Sequence, residues 1–550
     1  MEYTLVSKMF TNPNGIEVLL PAPVEPKSEL LFNAGVYDGA VPFKETNAGW
    51  HGYIPWTDHP QWKQLAKEIL DGAQQQAIES PFKPGQAAYD DQTTKLRVTG
   101  GIVGTRFSEY FMRLGAVLYN WPAESWETIK KDKDRSMLHV LSFPYNGEAT
   151  KDDIVKHVIT PNPLHFVRNH GNIPIIDANT WLLELGGLVN QPKSIKFDQL
   201  KSGFPTKTVT ATLVCSGTRR KEQQMEALGE FDELINAPWT EQALGTARWT
   251  GVTLKTLVDY CGGLRDEATD IEFYGADTYF KRNKPDNYIV SIPIRKMEDT
   301  IIAFEMNGEL LTPTHGAPVR AVVPGYIGAR SVKWLYRIKA LPHPSLAPVQ
   351  SEEYLYFTHQ MGKHNFRWSD GFQIGGMPIS SAIMSPKNGE VVYHNGKVKV
   401  TGWAYTGGTS NWVERVEVSP NGGSDWYPVS TAQLSQKFWW AWRLFAVEVP
   451  TPAQGYLDFT VRAWDGNMNT QPTLVRDGWN WDTHVTNSCH HIQIYSVNLS
   501  DPQTALRLAQ LHKHGLAFEP VHKPLEMELE DEVEYLNRIR EGSIRRDPVE

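Results

Sequence analysis

Alternating hydrophobic and polar positions predict β-strands through the central and C-terminal parts of the chain. Between residues 158 and 345, short β-patterned runs alternate with turn residues. The clearest run places Val209, Ala211, Leu213 and Cys215 on one face of a strand, with threonines between them on the other face. We therefore expect Cys215 to lie at the end of a half-buried strand.

Repeated short strands follow a proline-containing stretch near residue 345. The predicted strands cover residues 398–405, 413–419, 442–449 and 456–464. Asn421, Gly422 and Gly423 separate the second strand from a short run at 426–429, which indicates a hairpin turn because Asn and Gly enter positive-φ positions at low cost. This spacing predicts a β-sandwich of immunoglobulin type.

Two segments are predicted to be helical, one near residues 60–77 and one, rich in charge, at 506–540. A chain of 550 residues exceeds the usual size of one hydrophobic core, so two domains with extensions are expected. The predicted fold class is α+β. The predicted units are an N-terminal extension of unknown role (1–157), a mixed α/β domain (158–348), the sandwich (370–500) and a charged tail (501–550).

Composition narrows the compartment and the partners. The net charge of −9 gives no general attraction to nucleic acid or to an anionic membrane, so an anionic substrate needs a local basic pocket. Three cysteines argue against a disulfide framework, and no stretch reaches the roughly 20 apolar residues of a membrane span. The acidic N-terminus resembles neither a signal peptide nor a transit peptide, which favours the cytoplasm over the mitochondrion.

The strand that ends at Cys215 continues into Ser-Gly and then into the cations Arg219, Arg220 and Lys221. Neighbouring cations stabilise a thiolate, the form that acts as nucleophile or metal ligand. The alternative, which this segment alone leaves open, is a buried small hydrophobic residue beside a solvated basic cluster. The segment 488–491, Ser-Cys-His-His, is a poor metal site because adjacent strand residues point to opposite faces.

Four separate motifs carry a family resemblance. They read FVRNH at 166–170, CSGTRR at 215–220, HGAPVR at 315–320 and GARSVKWL at 328–335. In this order and spacing they resemble the molybdenum-cofactor domain of sulfite oxidases and eukaryotic nitrate reductases. The segment from Arg462 to Pro472 is similar to the dimerisation domain of that family, so the resemblance covers roughly residues 158–497.

The resemblance implies one molybdenum–molybdopterin cofactor per chain, with Cys215 as the protein thiolate on the metal. A soft sulfur ligand suits molybdenum, and buried cations suit the cofactor's anionic phosphate. The implied cofactor contacts are Phe166, Val167, Arg168, Asn169, His170, Asp277, His315, Arg320, Ser331, Val332 and Lys333.

For the substrate, the resemblance implies that Arg168 and Arg220 bind a small oxyanion, since a guanidinium group matches an oxyanion with two parallel hydrogen bonds. Tyr288, or its neighbour Asn287, corresponds to the active-site tyrosine. Trp239 corresponds to a tryptophan of the pocket wall, although extra residues at 226–237 precede it.

One departure concerns the second domain, where the family's sulfite oxidases have arginine after a glycine run. Here the glycines at 407–408 continue into Thr409, Ser410 and Asn411. This difference leaves the choice between sulfite and nitrate open.

The expected activity is oxidation of sulfite to sulfate, with electrons passed to an external acceptor for which cytochrome c and dioxygen are candidates. One alternative is a haem-free reductase of nitrate or another oxyanion, and another is a dimeric molybdopterin-binding protein without turnover. The resemblance also implies a homodimer. We find no haem, flavin or nicotinamide domain in the sequence.

Overall fold

The computed structural model describes residues 7–11, 17–21, 128–141, 144–171, 173–226, 237, 239–281, 284–362, 365–408 and 412–516. The helix predicted at 60–77 lies outside these residues. Among those described, no helix is long and apolar enough to cross a membrane.

Strands dominate the described part of the chain. Up to residue 373 they are β1 (Ser7–Thr11), β2 (Glu17–Pro21), β3 (Leu138–Leu141), β4 (Asn146–Glu148), β5 (Val167–Arg168), β6 (Leu182–Gly187), β7 (Lys193–Lys196), β8 (Lys207–Val214), β9 (Leu244–Thr253), β10 (Asp270–Lys281), β11 (Lys284–Pro293), β12 (Ile301–Met306), β13 (Glu309–Leu310), β14 (Arg320–Val322), β15 (Leu335–Leu341), β16 (Leu355–Tyr356) and β17 (Phe372–Gln373).

Beyond residue 373 the strands are β18 (Ser380–Ser385), β19 (Val391–His394), β20 (Lys397–Tyr405), β21 (Val413–Ser419), β22 (Tyr427–Pro428), β23 (Arg443–Pro450), β24 (Gly455–Asp465) and β25 (His490–Asn498). The α-helices are α1 (Lys151–Ile154), α2 (Phe197–Ser202), α3 (Arg220–Glu226), α4 (Leu254–Tyr260), α5 (Pro348–Ser351) and α6 (Pro502–Lys513).

Two mixed or antiparallel sheets form the first unit. One has the order β11-β10-β15-β6-β7, in which β15 and β6 are parallel, and the other has the order β13-β12-β9-β8, with β14 also paired to β12. The predicted strand that precedes Cys215 is confirmed as β8. The threonines of β8 are not all exposed. Thr212 is buried, and its hydroxyl accepts a 2.9 Å hydrogen bond from the backbone N–H of Trp442 in the second unit.

A third sheet ties the N-terminal region to this unit. Strand β4 pairs with both β3 and β5, so Arg168 on β5 is held by residues before 157. Asp132 accepts two hydrogen bonds from Thr314, at 3.1 Å from its backbone N–H and at 2.8 Å from its hydroxyl. The predicted boundary at residue 157 therefore falls inside a continuous unit, because residues 128–157 pair and pack with residues beyond 157.

The second unit consists of two facing sheets with the orders β18-β20-β23 and β19-β25-β24-β21-β22. Their inward side chains form a core that includes Val400, Val416 and Phe459. The four strands predicted here are confirmed to within a residue at each end. The predicted hairpin turn is also confirmed, with Gly422 at φ +67° and Gly423 at φ +93°.

The two units share a core, and the Cys215 turn lies at their junction. Trp403 and Trp442 of the second unit pack in the same cluster as Val214 and Ile327 of the first. The segment 480–488 lies on the turn itself, where the Val485 N–H donates a 2.6 Å hydrogen bond to the Ser216 carbonyl. Both units therefore contribute to whatever site forms around Cys215.

The C-terminal helix is shorter than predicted. Helix α6 begins after Asp501, whose side chain caps it by accepting from the Gln503 N–H, and it ends at Lys513. Gly515 adopts φ +67°, which stops the helix there. The prediction of one helix over 506–540 is thus wrong within the described residues, and residues 517–550 lie outside them.

Candidate active site

Cys215 directly follows β8 in a tightly bonded turn. The Thr218 hydroxyl donates to the Cys215 carbonyl at 2.9 Å and to the Ala243 carbonyl at 2.8 Å. The Gly217 N–H points at the Cys215 sulfur at 3.4 Å. The side chain is 6% exposed and lines a cavity. The turn thus presents one sulfur atom, in a fixed position, to this cavity.

Most of the predicted site residues meet at this cavity, although they come from segments far apart in the chain. Those that line it are Phe166, Val167, Arg168, His170, Cys215, Asp277, Tyr288, His315, Arg320, Ser331, Val332 and Lys333. Asn169, Arg220 and Trp239 do not line it. Asn169 lies beside it, where its side-chain oxygen accepts a hydrogen bond from the Lys333 ammonium group.

The cavity wall carries the cations Arg320, which is buried, and Lys333, which is partly buried. Arg320 donates from its two terminal nitrogens to the carbonyls of His315 at 3.1 Å and Ser331 at 3.0 Å. Burial lowers the pKa of Arg320 to about 9 and that of Lys333 well below its usual value. Asp277 is the carboxyl group that faces Lys333, and burial raises its pKa to about 7.

An anionic ligand would compensate the positive charge of Arg320 and Lys333. Burying a cation without an anion is costly, and a phosphate group forms charge-assisted hydrogen bonds with arginine and lysine. The buried side-chain amide nitrogen of Asn169 has no hydrogen-bond partner among the described residues. Together with the Cys215 sulfur, these groups fit a ligand that combines a thiophilic metal with an anionic phosphate.

Lys133 supports the site in a way that the sequence did not indicate. Its ammonium group donates to the carbonyls of Asn162 at 2.7 Å and His165 at 2.6 Å, and lies 3.1 Å from His315 Nε2. Burial lowers the pKa of Lys133 to about 7, while burial and Lys133 together hold the pKa of His315 well below its usual value. His315 is therefore a neutral ring whose orientation depends on Lys133.

A smaller cavity adjoins Cys215. It is lined by Arg168, Cys215, Arg220, Glu353, Tyr354, Asp482 and His484. The two arginines that were predicted to bind an anion are thus brought together beside the predicted metal ligand.

The position of Arg220 depends on both units. Its Nε donates to the Thr483 carbonyl at 3.0 Å, one terminal nitrogen donates to the Ala237 carbonyl at 2.7 Å, and the other lies 3.4 Å from His484 Nδ1. Burial lowers the pKa of Arg220, while Cys215 and Asp482 act in the opposite direction. A Cβ on Gly217 would lie 2.3 Å from the guanidinium group, so any other residue there would displace Arg220.

The neighbouring cations do not act together as the sequence suggested. Arg219 has φ +67°, which turns it away from Cys215. Its guanidinium group instead makes two 2.6 Å hydrogen bonds to Glu222 and a 2.7 Å bond to the Ser488 carbonyl. Arg219 therefore does not act on the thiol and instead joins the two units.

Two tyrosines lie at the site, and they differ in what they face. The Tyr288 hydroxyl donates to the Ala329 carbonyl at 2.9 Å, and its ring lines the larger cavity. Tyr354 lines both cavities, and its hydroxyl lies 2.8 Å from His170 Nε2. Burial raises the pKa of Tyr354 to about 12. Tyr354 is thus the tyrosine beside both arginines, and no local motif marked it.

Asn287, the alternative to Tyr288 in the sequence analysis, donates from its side-chain amide to the Asp277 carbonyl at 3.2 Å.

Trp239 is not part of the wall of either cavity. It is fully buried and packs edge-on against Phe166, with ring centres 6.4 Å apart. Trp239 therefore supports the wall from behind. Thr409, Ser410 and Asn411, where the third arginine is absent, lie outside the described residues.

The cluster around His490 does not have the character of a metal site. His490, Glu222 and Glu241 bring ligand atoms within 4.8 Å of one another. However, Glu222 is paired with Arg219, Glu241 lies 3.0 Å from the Lys151 ammonium group, and His490 Nδ1 accepts a 3.1 Å hydrogen bond from a backbone N–H. His491 points elsewhere, towards Asp458 at 3.0 Å. The predicted alternation of faces is confirmed, and the cluster is an ion-pair network.

Two family models match adjacent parts of the chain. The oxidoreductase molybdopterin-binding domain matches residues 170–349, and the Mo-co oxidoreductase dimerisation domain matches residues 372–497. Human mitochondrial sulfite oxidase is 34% identical over 361 residues, which is 64% of this chain and 64% of that protein. NADH nitrate reductase 1 of Arabidopsis thaliana is 33% identical over 383 residues, 64% of this chain and 40% of the reductase.

Among solved structures, the sulfane dehydrogenase SoxCD of Paracoccus pantotrophus superposes with a TM-score of 0.54 at 24% identity, over 65% of this chain and 85% of the SoxCD chain. This likeness concerns the fold. The chain spans about 64% of the length of the sulfite oxidases that it matches.

Proposed function

Because the chain belongs to the sulfite oxidase family of molybdopterin oxidoreductases, we propose that it oxidises sulfite to sulfate at a molybdenum centre held by Cys215. The observation that carries this proposal is the small cavity in which Arg168 and Arg220 lie beside the Cys215 sulfur. The balanced reaction converts sulfite and water into sulfate, two protons and two electrons. The electrons pass to a separate acceptor, for which cytochrome c and dioxygen are the candidates.

The larger cavity binds the cofactor, and the smaller cavity binds the substrate. In the larger one, Arg320 and Lys333 hold the anionic phosphate of the pterin, while Cys215 provides the thiolate for the metal. When bound, the molybdenum cofactor supplies oxygen-atom transfer and takes up the two electrons. In the smaller one, Arg168 and Arg220 orient the anion and stabilise its charge in a space from which bulk water is excluded.

Tyr354 completes the substrate pocket. Its hydroxyl lies between the arginine cavity and His170, at 2.8 Å from His170 Nε2. A hydroxyl in this position can donate a hydrogen bond to an oxygen of the anion while the histidine ring holds its orientation. Burial keeps this hydroxyl protonated at neutral pH, since the pKa of Tyr354 is raised to about 12.

The test is molybdenum content together with sulfite-dependent reduction of ferricyanide. We expect about one metal per chain in the wild type, and loss of both metal and activity in Cys215→Ser. Cys489→Ser is the matched control, because Cys489 is also buried but lines neither cavity. Metal without sulfite turnover would exclude sulfite as the substrate, and absence of metal would remove the proposal altogether.

Nitrate reduction is the second candidate, because the chain is 33% identical to a plant nitrate reductase and has Thr-Ser-Asn where the third arginine is expected. Nitrate turnover with reduced viologen would support it, and activity with sulfite alone would exclude it. A molybdopterin-binding protein without turnover is excluded by any activity above that of Cys215→Ser.

The oligomeric state, the domain organisation and the location of the protein are proposals of the same kind. The dimerisation-domain match at 372–497 supports a homodimer. The two facing sheets support an immunoglobulin-like sandwich within the predicted unit 370–500. The boundaries near 348 and 501, the cytoplasmic location and the lack of haem, flavin and nicotinamide domains stay predictions.

A further inference from the structure

The small cavity contains an acidic side chain, although a carboxylate repels an anion. Asp482 is 1% exposed and lines the cavity with the two arginines. Neither of its carboxylate oxygens accepts a hydrogen bond from any residue that the structure describes. His484 Nε2 lies 3.2 Å from Oδ2, at ion-pair distance but without the alignment of a hydrogen bond. A buried carboxylate without donors is strongly unfavourable, so a hydrogen-bond donor on the occupant of the cavity would stabilise it.

The backbone around Asp482 is held in a strained conformation. Thr483 has φ +52° and Val485 has φ +57°, and β-branched residues seldom adopt this left-handed region. Such a conformation persists only where surrounding contacts impose it. Those contacts include a 3.0 Å hydrogen bond from Arg220 to the Thr483 carbonyl and a 2.6 Å bond from Val485 to the Ser216 carbonyl.

These contacts fix the carboxylate of Asp482 relative to the Cys215 turn. The His484 N–H donates at 3.0 Å to the Asn480 side chain, and His484 Nδ1 lies 2.9 Å from the Ser216 hydroxyl. Contacts of its backbone N–H and of its ring therefore fix His484 in place. The placement in the cavity of a carboxylate that has no hydrogen-bond donor among the described residues is therefore a built feature of the junction between the two units.

The charges that face the cavity are mixed rather than basic. The groups are the guanidinium ions of Arg168 and Arg220, the carboxyls of Asp482 and Glu353, the thiol of Cys215, the phenol of Tyr354 and the imidazole of His484. An oxyanion without hydrogen offers only lone pairs, which the arginines attract and the Asp482 carboxylate repels. A ligand that satisfies both kinds of group has anionic oxygens at one side and a hydrogen-bond donor at the other.

We propose that Asp482 makes this pocket selective for the hydrogen-bearing form of its oxyanion, namely hydrogen sulfite, and against hydrogen-free anions such as nitrate. The inference rests on the proposed sulfite oxidation and specifies the form of the substrate. Arg168 and Arg220 hold the anionic oxygens, and the substrate's hydrogen is donated to Asp482. Hydrogen sulfite and water yield sulfate, three protons and two electrons, and ferricyanide takes the electrons in the assay.

The test compares the wild type with Asp482→Asn, which keeps the side-chain shape and can donate through its amide. In the wild type, we expect KM for total sulfite to rise with pH as hydrogen sulfite loses its proton. In the variant, KM should become nearly independent of pH, and nitrate should inhibit about tenfold more strongly, equivalent to about 1.4 kcal/mol. The value of kcat should change less than KM.

Asp477→Asn is the matched control, since it removes the same charge from an exposed residue of the same segment. Asn can also keep the cap that Asp477 makes with the Leu474 N–H. If Asp482→Asn does not fold, Asp482→Ser removes the charge without added bulk. Unchanged nitrate inhibition, or a wild-type pH dependence of KM in the folded variant, would overturn the proposal.

A failure of the proposed function is distinguishable from a failure of this inference. If the molybdenum-loaded wild type does not turn over sulfite, the sulfite oxidase proposal falls. Calorimetric titration of nitrate onto the loaded wild type and onto Asp482→Asn then decides the anion preference by itself. Tighter nitrate binding by the variant supports the role of Asp482, and equal binding overturns it.

Discussion

Gly217→Ala is expected to disable the anion pocket while leaving the cofactor in place. The new Cβ would lie 2.3–2.5 Å from three atoms of the Arg220 guanidinium group. Ordinary van der Waals contact begins near 3.4 Å, so the group must move by about 1 Å. A flexible arginine on the surface would do so easily. Arg220 is 2% exposed and donates to two backbone carbonyls, at 3.0 and 2.7 Å, which the shift would lengthen or break.

The expected loss follows from this geometry. A displacement of about 1 Å in a group that orients the substrate reduces the rate on the order of 100-fold. That factor corresponds to about 2.7 kcal/mol of lost transition-state stabilisation. Molybdenum content should stay close to that of the wild type, because Gly217 lies outside the larger cavity, whereas kcat/KM for sulfite should fall.

The assay is steady-state sulfite-dependent ferricyanide reduction, normalised to the metal content of each preparation. Gly186→Ala is the matched control, because a Cβ at Gly186 meets no heavy atom within 4 Å. A Gly217→Ala protein with the wild-type kcat/KM per molybdenum would refute the claim that Arg220 must occupy its observed position.

Three further predictions concern the surroundings of the site. Tyr354→Phe should lower kcat/KM for sulfite about tenfold, as for one lost hydrogen bond of about 1.4 kcal/mol. Tyr288→Phe should lower it less, because the Tyr288 hydroxyl donates to the Ala329 carbonyl and contacts Tyr354 rather than the anion; the reverse ranking would contradict our assignment. Burial and Lys133 lower the pKa of His165 to about 3 from 6.5, so the stability due to its neutral ring is complete above pH 6.5 and is lost as pH falls towards 3. Urea unfolding over this interval should show a shallower decline of the unfolding free energy in His165→Asn than in the wild type, whereas His343→Gln, at an exposed position, should match the wild type; equal slopes in His165→Asn and the wild type would refute this. Lys133→Met should leave its acceptors unsatisfied, lower the unfolding free energy by about 2 kcal/mol and reduce molybdenum content, and an unchanged urea midpoint with full metal would show that His315 needs no such support.

Local pattern was enough to predict the strand before Cys215 and four strands of the second unit. The run that ends at Cys215 alternates so regularly that only one register buries its apolar side chains. The strands of the second unit follow from the same alternation, and Gly422 and Gly423 place a hairpin turn between two of them. The helix predicted at 506–540 was too long because high charge and good helix formers do not by themselves continue a helix past Gly515.

The family motifs predicted the walls of the larger cavity, since each motif is contiguous in the chain. The residues that were missed are single residues without a motif. Lys133 lies in a run of alternating Lys and Asp that has the appearance of a solvated surface. Tyr354 follows two glutamates in a polar connector, and Asp482 stands between two residues with no charge. Their importance arises only from burial and from neighbours distant in sequence.

The sequence by itself determined the strand that leads to Cys215, the four long strands predicted in the second unit, and the segments that carry the family's cofactor motifs, because each depends on side chains close together in the chain. Tertiary structure decided which of the adjacent cations faces the thiol, which tyrosine faces the arginines, and that Asp482 shares their cavity. Those outcomes depend on how segments more than 100 residues apart pack at the junction of the two units. Burial there removes water as an alternative partner, so the protein's own groups determine the chemistry.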